Sequence, residues 1–178
     1  MRRRAFLRAG CAGTAVSLLG ACGFRPVYMR TASGHYGTAQ RELQAINVEV
    51  IADRPGQLLR QALQQRFDGS ESGLQRRYDL SVDYQVPGMG IAVRQDNSVT
   101  RIRLVGLANY TLRGEDPNRT VITKGNARVM DDYNIIDQQF FAADLENEAA
   151  QRRVAEATAD QIALQLAAFF KQRALAAE

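Results

Sequence analysis

Hydrophobic and polar positions alternate along most of this chain, and the points where the alternation changes period mark its elements. Ile46, Val48 and Val50 alternate with Asn47 and Glu49, as in a half-buried strand. Asp53-Arg54-Pro55-Gly56 closes it. Pro suits a first helical turn and Asp53 can accept from the free amides there, so a helix is predicted to follow. Leu59, Ala62, Leu63, Arg66 and Phe67 form its stripe, and Gly69 is its expected stop. Tyr78, Leu80, Val82, Tyr84 and Val86 then alternate with Asp79, Ser81, Asp83 and Gln85, which turns the even positions toward a core. After Pro87-Gly88-Met89-Gly90 the apolar positions are odd, Ile91 and Val93, and a one-residue shift of this kind predicts a β-bulge at the Pro/Gly cluster.

Asp96-Asn97 reads as a hairpin tip. Thr100 to Leu112 is a long strand with Ile102, Leu104, Gly106, Ala108, Tyr110 and Leu112 on its core face. Glu115-Asp116-Pro117-Asn118 turns the chain into a last strand, Val121 to Met130, with Val121, Ala127 and Val129 inward. Asp132-Tyr133-Asn134 breaks the alternation, and from about Asp137 to Ala174 the period becomes helical, carried by Val154, Thr158, Ile162, Leu166 and Phe169 or Phe170. At 1.5 Å per residue that helix reaches roughly 50 Å, matched by a long strand of about 43 Å. The expected fold is α+β: a two-layer sandwich with a four-stranded mixed sheet, two helices on one face, and the order β-α-β-β-β-α.

Ahead of this domain the composition differs. Met1-Arg2-Arg3-Arg4-Ala5-Phe6-Leu7-Arg8 is basic, Ala9 to Leu19 is a short apolar run, and Leu19-Gly20-Ala21-Cys22 follows. The run is too short to cross a hydrocarbon layer about 30 Å thick, so it reads as a cleaved export signal. Leu, two small residues and Cys resemble the bacterial lipobox, which implies lipidation of Cys22 and cleavage before it. Arg3-Arg4 fits both general and twin-arginine export. Residues 1–21 are thus expected to be a signal peptide, 22–42 a lipidated tether without helical or strand period, and 43–178 one domain. His35, the one histidine, falls in the tether, where a solvated role is expected.

Charge and chemistry narrow the function. Four of the 23 Lys and Arg lie in the signal, which leaves 19 against 19 Asp and Glu, so the chain's formal charge of +4 is no argument for nucleic acid. Cys11 leaves with the signal and Cys22 would be blocked, so no internal disulfide is expected. No Gly-x-Ser-x-Gly and no His-Glu-x-x-His occurs, and nothing in the sequence calls for a metal or cofactor; a Ser-Lys pair is the one catalytic arrangement left open. The expectation is not an enzyme.

The sheet face turned away from the helices is the candidate site. It is expected to carry Arg101, Arg103, Val105, Leu107, Asn109 and Thr111 from one strand beside Ile122, Lys124, Asn126, Arg128 and Met130 from the next. Aliphatic residues on a face meant only for water are out of place and suggest a partner surface, with the cations suited to phosphates. Cross-strand pairing with Asp79, Asp83 and their neighbours, plus β-propensity for the aliphatics, accounts for the same residues equally well.

A lipobox followed by Gly23-Phe24-Arg25-Pro26-Val27-Tyr28, the strand beginning Tyr78-Asp79-Leu80, the Asp132-Tyr133-Asn134 break, and a final helix with Ala159-Asp160-Gln161-Ile162 and Gln165-Leu166 together resemble the LptE family of lipopolysaccharide-assembly lipoproteins, in its alphaproteobacterial form. The resemblance spans essentially the whole chain and implies two helices on a four-stranded sheet. It further implies an outer-membrane protein, anchored through acyl chains on Cys22 on the periplasmic side, that plugs the lumen of the LptD β-barrel in a 1:1 complex, helps assemble it, and binds lipopolysaccharide in transit. Arg101, Arg103, Lys124 and Arg128 are the candidate lipopolysaccharide contacts; they come from the face assignment, not from the resemblance. An accessory lipoprotein of another envelope lipid-transport system shares the anchor and the mixed face. Cys22→Ala is expected to release the protein from membranes, which fractionation of cell envelopes checks.

Overall fold

The computed structural model describes residues 37–67, 75–96, 98–135 and 140–176. The signal, Cys22, His35, Gly69 and Asn97 lie outside the described residues. Element order is α1 (Thr38–Gln44), β1 (Ile46–Val48), α2 (Asp53–Phe67), β2 (Tyr78–Gln85), β3 (Gly88–Val93), β4 (Val99–Gly114), β5 (Val121–Asn134) and α3 (Phe140–Leu175). β1 pairs parallel with β2, while β2, β3 and β5 all pair antiparallel with β4. β2 takes β4 residues 107–114 and β3 takes residues 99–104, so both lie along one edge of β4 as two halves of a single interrupted strand. The sheet is therefore four strands wide and mixed, with α2 and α3 packed on one face, as the alternation predicted.

Several boundaries differ from the sequence reading, each for a physical reason. The last residues of the expected tether form α1, because Ala39 and Leu43, one helical turn apart, are buried against the core and Glu42 is held by Arg77 (2.8 Å) and by the Tyr78 hydroxyl (2.7 Å). Val50 leaves its strand and is 82% exposed, and Ile51 takes the buried position instead. The interruption at Val86-Pro87 fits a residue with no N–H to donate, yet the bulge comes slightly later, between Gly90 and Val93, where Ile91 has no partner on β4. The hairpin tip is closed by Asp96, whose carboxylate accepts from the Ser98 amide (3.0 Å) and hydroxyl (2.7 Å). β5 does not stop at Met130: Asp132, Tyr133 and Asn134 stay in register with Arg103, Ile102 and Arg101. At its other end a register shift between Leu112 and Arg113 leaves Val121 exposed and turns Ile122 into the core, the reverse of the expected parity.

The core forms where α2 and α3 meet the even positions of β2 and β4. Leu59, Leu63 and Phe67 of α2 and Ile162 and Leu166 of α3 close over Leu80 and Leu112, all essentially inaccessible to water. Burying each such side chain stabilises the fold by about 1.5–3 kcal/mol. Arg66 ties the helices together through a two-bond pair with Asp160 (2.6 and 3.2 Å).

Small residues set how closely α3 approaches the sheet. A Cβ on Gly106 would stand 2.6 Å from Val154 Cγ1 and 3.1 Å from both the Thr158 and Tyr84 hydroxyl oxygens. Two same-face pairs along, beyond Ala108 and Ala127, the Tyr110 ring lies across Gly125, its register partner on β5. Its hydroxyl donates to Gln165 Oε1 (2.8 Å), and Gln165 Nε2 donates to the Asn126 carbonyl (3.0 Å), so one side chain of α3 bridges both strands. Burial raises the Tyr84 and Tyr110 phenols above their ordinary range. Gly106→Ala would stabilise an open strand site. Here it is expected to destabilise by about 1–3 kcal/mol through overpacking against Val154, measured as a lowered urea midpoint with unchanged slope.

Candidate functional site

The face opposite the helices is built from odd positions of β4 and their register partners, which lie in rows across the sheet. From one end these rows are Ser81–Thr111–Lys124, Asp83–Asn109–Asn126, Gln85–Leu107–Arg128 and Val105–Met130, followed by Met89–Arg103–Asp132 and Ala92–Arg101–Asn134. The character changes along the way. Beside α1 the rows are polar; toward the β3–β4 hairpin they mix cations with Leu107, Met130 and Met89. Val105 is on this face yet only 4% exposed, with Met130 directly across from it. Ile122, expected on this face, is partly buried and packs against the core.

All four candidate cations of β4 and β5 are kept on the open face by the two-residue period, but they do not converge. Arg101 and Arg103 are adjacent. Arg128 lies level with Leu107, about 13 Å along the strand from Arg103, and Lys124 roughly twice as far at 3.3 Å per residue. No single phosphate can reach the whole set. Arg101 and Arg103 also have a partner that the sequence reading did not identify. Asp132 accepts from Arg103 Nε (2.8 Å) and Nη2 (3.1 Å) in the fork geometry, and from Arg101 Nη2 at 3.2 Å. Asp79 and Asp83, the expected partners, do not take part: Asp79 accepts from Asn47 and pairs with Arg119. Lys124 and Arg128 make no ion pair among the described residues.

The two arginines and Asp132, with Met130 and Asp131, line a shallow depression of about 320 Å³. Asp131 itself points to the helix layer and pairs with Arg153 of α3 (2.6 Å). The Asp132 side chain is 16% exposed, and the bonds from Arg103 followed by the charges of both arginines hold its carboxyl below the usual range; Arg103 is raised in return. Among the described residues no group of three or more His, Cys, Asp or Glu is arranged to hold a metal. No helix among them is long and apolar enough to cross a membrane.

A helix layer on one side of a mixed sheet, with a cationic and partly apolar face left open on the other, defines a small two-layer α+β domain. The sequence places it further: the chain belongs to the LptE family, whose model, described as "LptE: Lipopolysaccharide-assembly", matches residues 43–166. This is a family of non-enzymatic lipopolysaccharide-assembly lipoproteins. Among solved structures the fold is similar to a candidate lipoprotein from Caulobacter crescentus, with a TM-score of 0.62, 24% identity, and 75% of this chain and 96% of that one covered. It is also similar to rare lipoprotein B from Shewanella oneidensis (TM-score 0.50, 12% identity, 70% and 92% covered) and to lipoprotein B from Nitrosomonas europaea (0.51, 15%, 71% and 82%). Against the curated proteins the sequence finds no match.

Because Asp132 titrates lower in the fold than in the unfolded chain, its stabilisation is present above the ordinary carboxylate range, near pH 4, and is lost as pH falls through its folded value. Asp132→Asn is therefore expected to lower the urea midpoint at pH 7, with the gap to the parent closing on acidification toward pH 3. A gap independent of pH would mean that the pair contributes through packing alone.

Proposed function

We propose that this protein is the lipid-anchored plug of the LptD β-barrel: it sits in the barrel lumen at the outer membrane, helps the barrel assemble, and binds lipopolysaccharide on its way to the surface. The observation that carries this reading is the family match over residues 43–166, which takes in the whole sheet and most of α3. The open face supports it. A barrel lumen is polar, so a protein filling it needs a surface of mixed chemistry rather than a continuous apolar patch, and lipopolysaccharide offers phosphates to arginine and lysine as well as acyl chains to aliphatics. In this reading Cys22 carries the acyl chains. With two or three of them, at about 0.8 kcal/mol per buried methylene, attachment is firm.

Arg101, Arg103, Lys124 and Arg128 have different parts in this proposal. Arg103 is committed to Asp132, Arg101 is only partly so, and Lys124 and Arg128 are available to a ligand or to the barrel wall. Reversing charge at the last two leaves the internal pair untouched. Lys124→Glu with Arg128→Glu is expected to weaken lipopolysaccharide binding by about tenfold or more, the worth of one or two charge-assisted hydrogen bonds, with the thermal unfolding midpoint little changed. Binding to immobilised lipopolysaccharide and pull-down after mild detergent extraction form the test. Co-purification of a large outer-membrane β-barrel is the expected result, and recovery of an inner-membrane transporter in its place would overturn the reading.

A further inference from the structure

The large apolar side chains that escape the core are not spread evenly. Met89, Ile91, Val93 and Val99 are all exposed on the β3–β4 hairpin, and Met130 is exposed next to it. Their exposure has a structural cause. Among the described residues the helices pack on β1, β2, β4 and β5, so β3 lies beyond the layer that would cover it. The bulge at Ile91 adds to this by breaking the alternation, which leaves apolar side chains in positions that a regular strand would give to polar ones.

This hairpin is continuous with the arginine depression. Met89 is the direct register partner of Arg103, Ala92 that of Arg101, and Met130 lines the depression itself. Cationic and apolar groups thus alternate within one or two rows of the sheet, a few ångströms apart. The other end of the sheet is where α1 is held: it is fastened to Arg77 and Tyr78, and Tyr78 pairs with Gly114 at the far end of β4. The sixteen residues of β4 separate the two ends by roughly 50 Å.

We infer that the β3–β4 hairpin is the acyl-chain contact of the domain: the chains of a phosphorylated lipid lie on Met89, Val93 and Met130 while its phosphate takes the free side of Arg101. The inference rests on the lipopolysaccharide reading above and adds where on the open face the two halves of the ligand go. Charge and apolarity select the occupant. A phosphate fits the guanidinium that is half exposed and holds Asp132 through one 3.2 Å contact, since the rest of its fork of donors is unspent. Arg103, with two bonds to the same carboxylate, positions Asp132 and so keeps Arg101 aimed at the depression. Apolar residues directly beside the arginines match a molecule whose acyl chains begin next to its phosphates. A protein strand would not require that adjacency.

The chain has no tryptophan, so a single indole reports on its own surroundings. Val93→Trp puts one on the hairpin, and Val121→Trp puts a control at the opposite end of the sheet. In the full-length protein, lipopolysaccharide is expected to shift the Val93→Trp emission to the blue and leave the Val121→Trp emission in place. Deacylated lipopolysaccharide, which keeps the phosphates, is expected to compete for binding without shifting either. Binding of lipopolysaccharide with no change in Val93→Trp emission would overturn the inference while the lipopolysaccharide reading stood; no binding at all would overturn that reading as well. An equal shift with phosphatidylglycerol vesicles would overturn the assignment to lipopolysaccharide and make the hairpin a contact for any anionic lipid surface. As a second measurement, Met89→Ser with Val93→Ser is expected to lower lipopolysaccharide affinity roughly tenfold with the fold retained by circular dichroism, and undiminished affinity would sink the acyl contact.

Discussion

The close seating of α3 on β4 and β5 is the constraint from which the other features follow. A helix 36 residues long can lie flat along two long strands only if the strand residues beneath it are small, and Gly106, Ala108, Gly125 and Ala127 meet that condition. Where glycine would leave the sheet thin, Tyr110 fills the space and its hydroxyl reaches Gln165, so the gap that permits close approach is also used to lock the helix in place. Ala150, Val154 and Leu104 extend the same packing as a second, smaller core toward the hairpin end. Beyond it the helices no longer cover β3, and the apolar surface of the hairpin begins.

Using one face of the sheet entirely for this packing leaves the other for chemistry. That face has a direction: polar rows next to the end where the chain comes in, cationic and apolar rows at the other. The ion cluster at its cationic end, Arg101–Asp132–Arg103, is not there chiefly for stability, since pairs this exposed contribute little to folding. Its larger effect is on geometry, because a carboxylate shared by two guanidinium groups holds both in defined orientations.

Much of this was legible in the residues alone, and the failures have identifiable causes. The two-residue period from Tyr78 to Leu112 was enough to assign the core face, and the parity change after Pro87 was enough to anticipate an irregularity, because both are properties of neighbouring residues. α1 went unseen because two buried residues one turn apart make no periodic signal. Val121 and Ile122 were exchanged because the turn at residues 115–120, where Asp116 accepts from the Thr120 amide and hydroxyl and Arg119 adopts a positive φ of 46°, feeds the strand in with a register shift. Asp132 looked like the end of a strand. An acid on an alternating position reads as a break until the arginine opposite it, 29 residues earlier, is known.

The sequence by itself determined which side chains share a face, and with that the fold class, the helix-bearing side of the sheet and the resemblance to a family. These are local matters: helix and strand periods are written into adjacent residues, and burial follows from them. Only the tertiary structure decided which positions stand opposite one another, and therefore that Asp132 holds Arg101 and Arg103, that Met89 adjoins them, and that Lys124 lies too far away to share one phosphate with them. Pairing register is set by turns and bulges, and a single extra residue moves every partner beyond it, so it cannot be read from the strands alone.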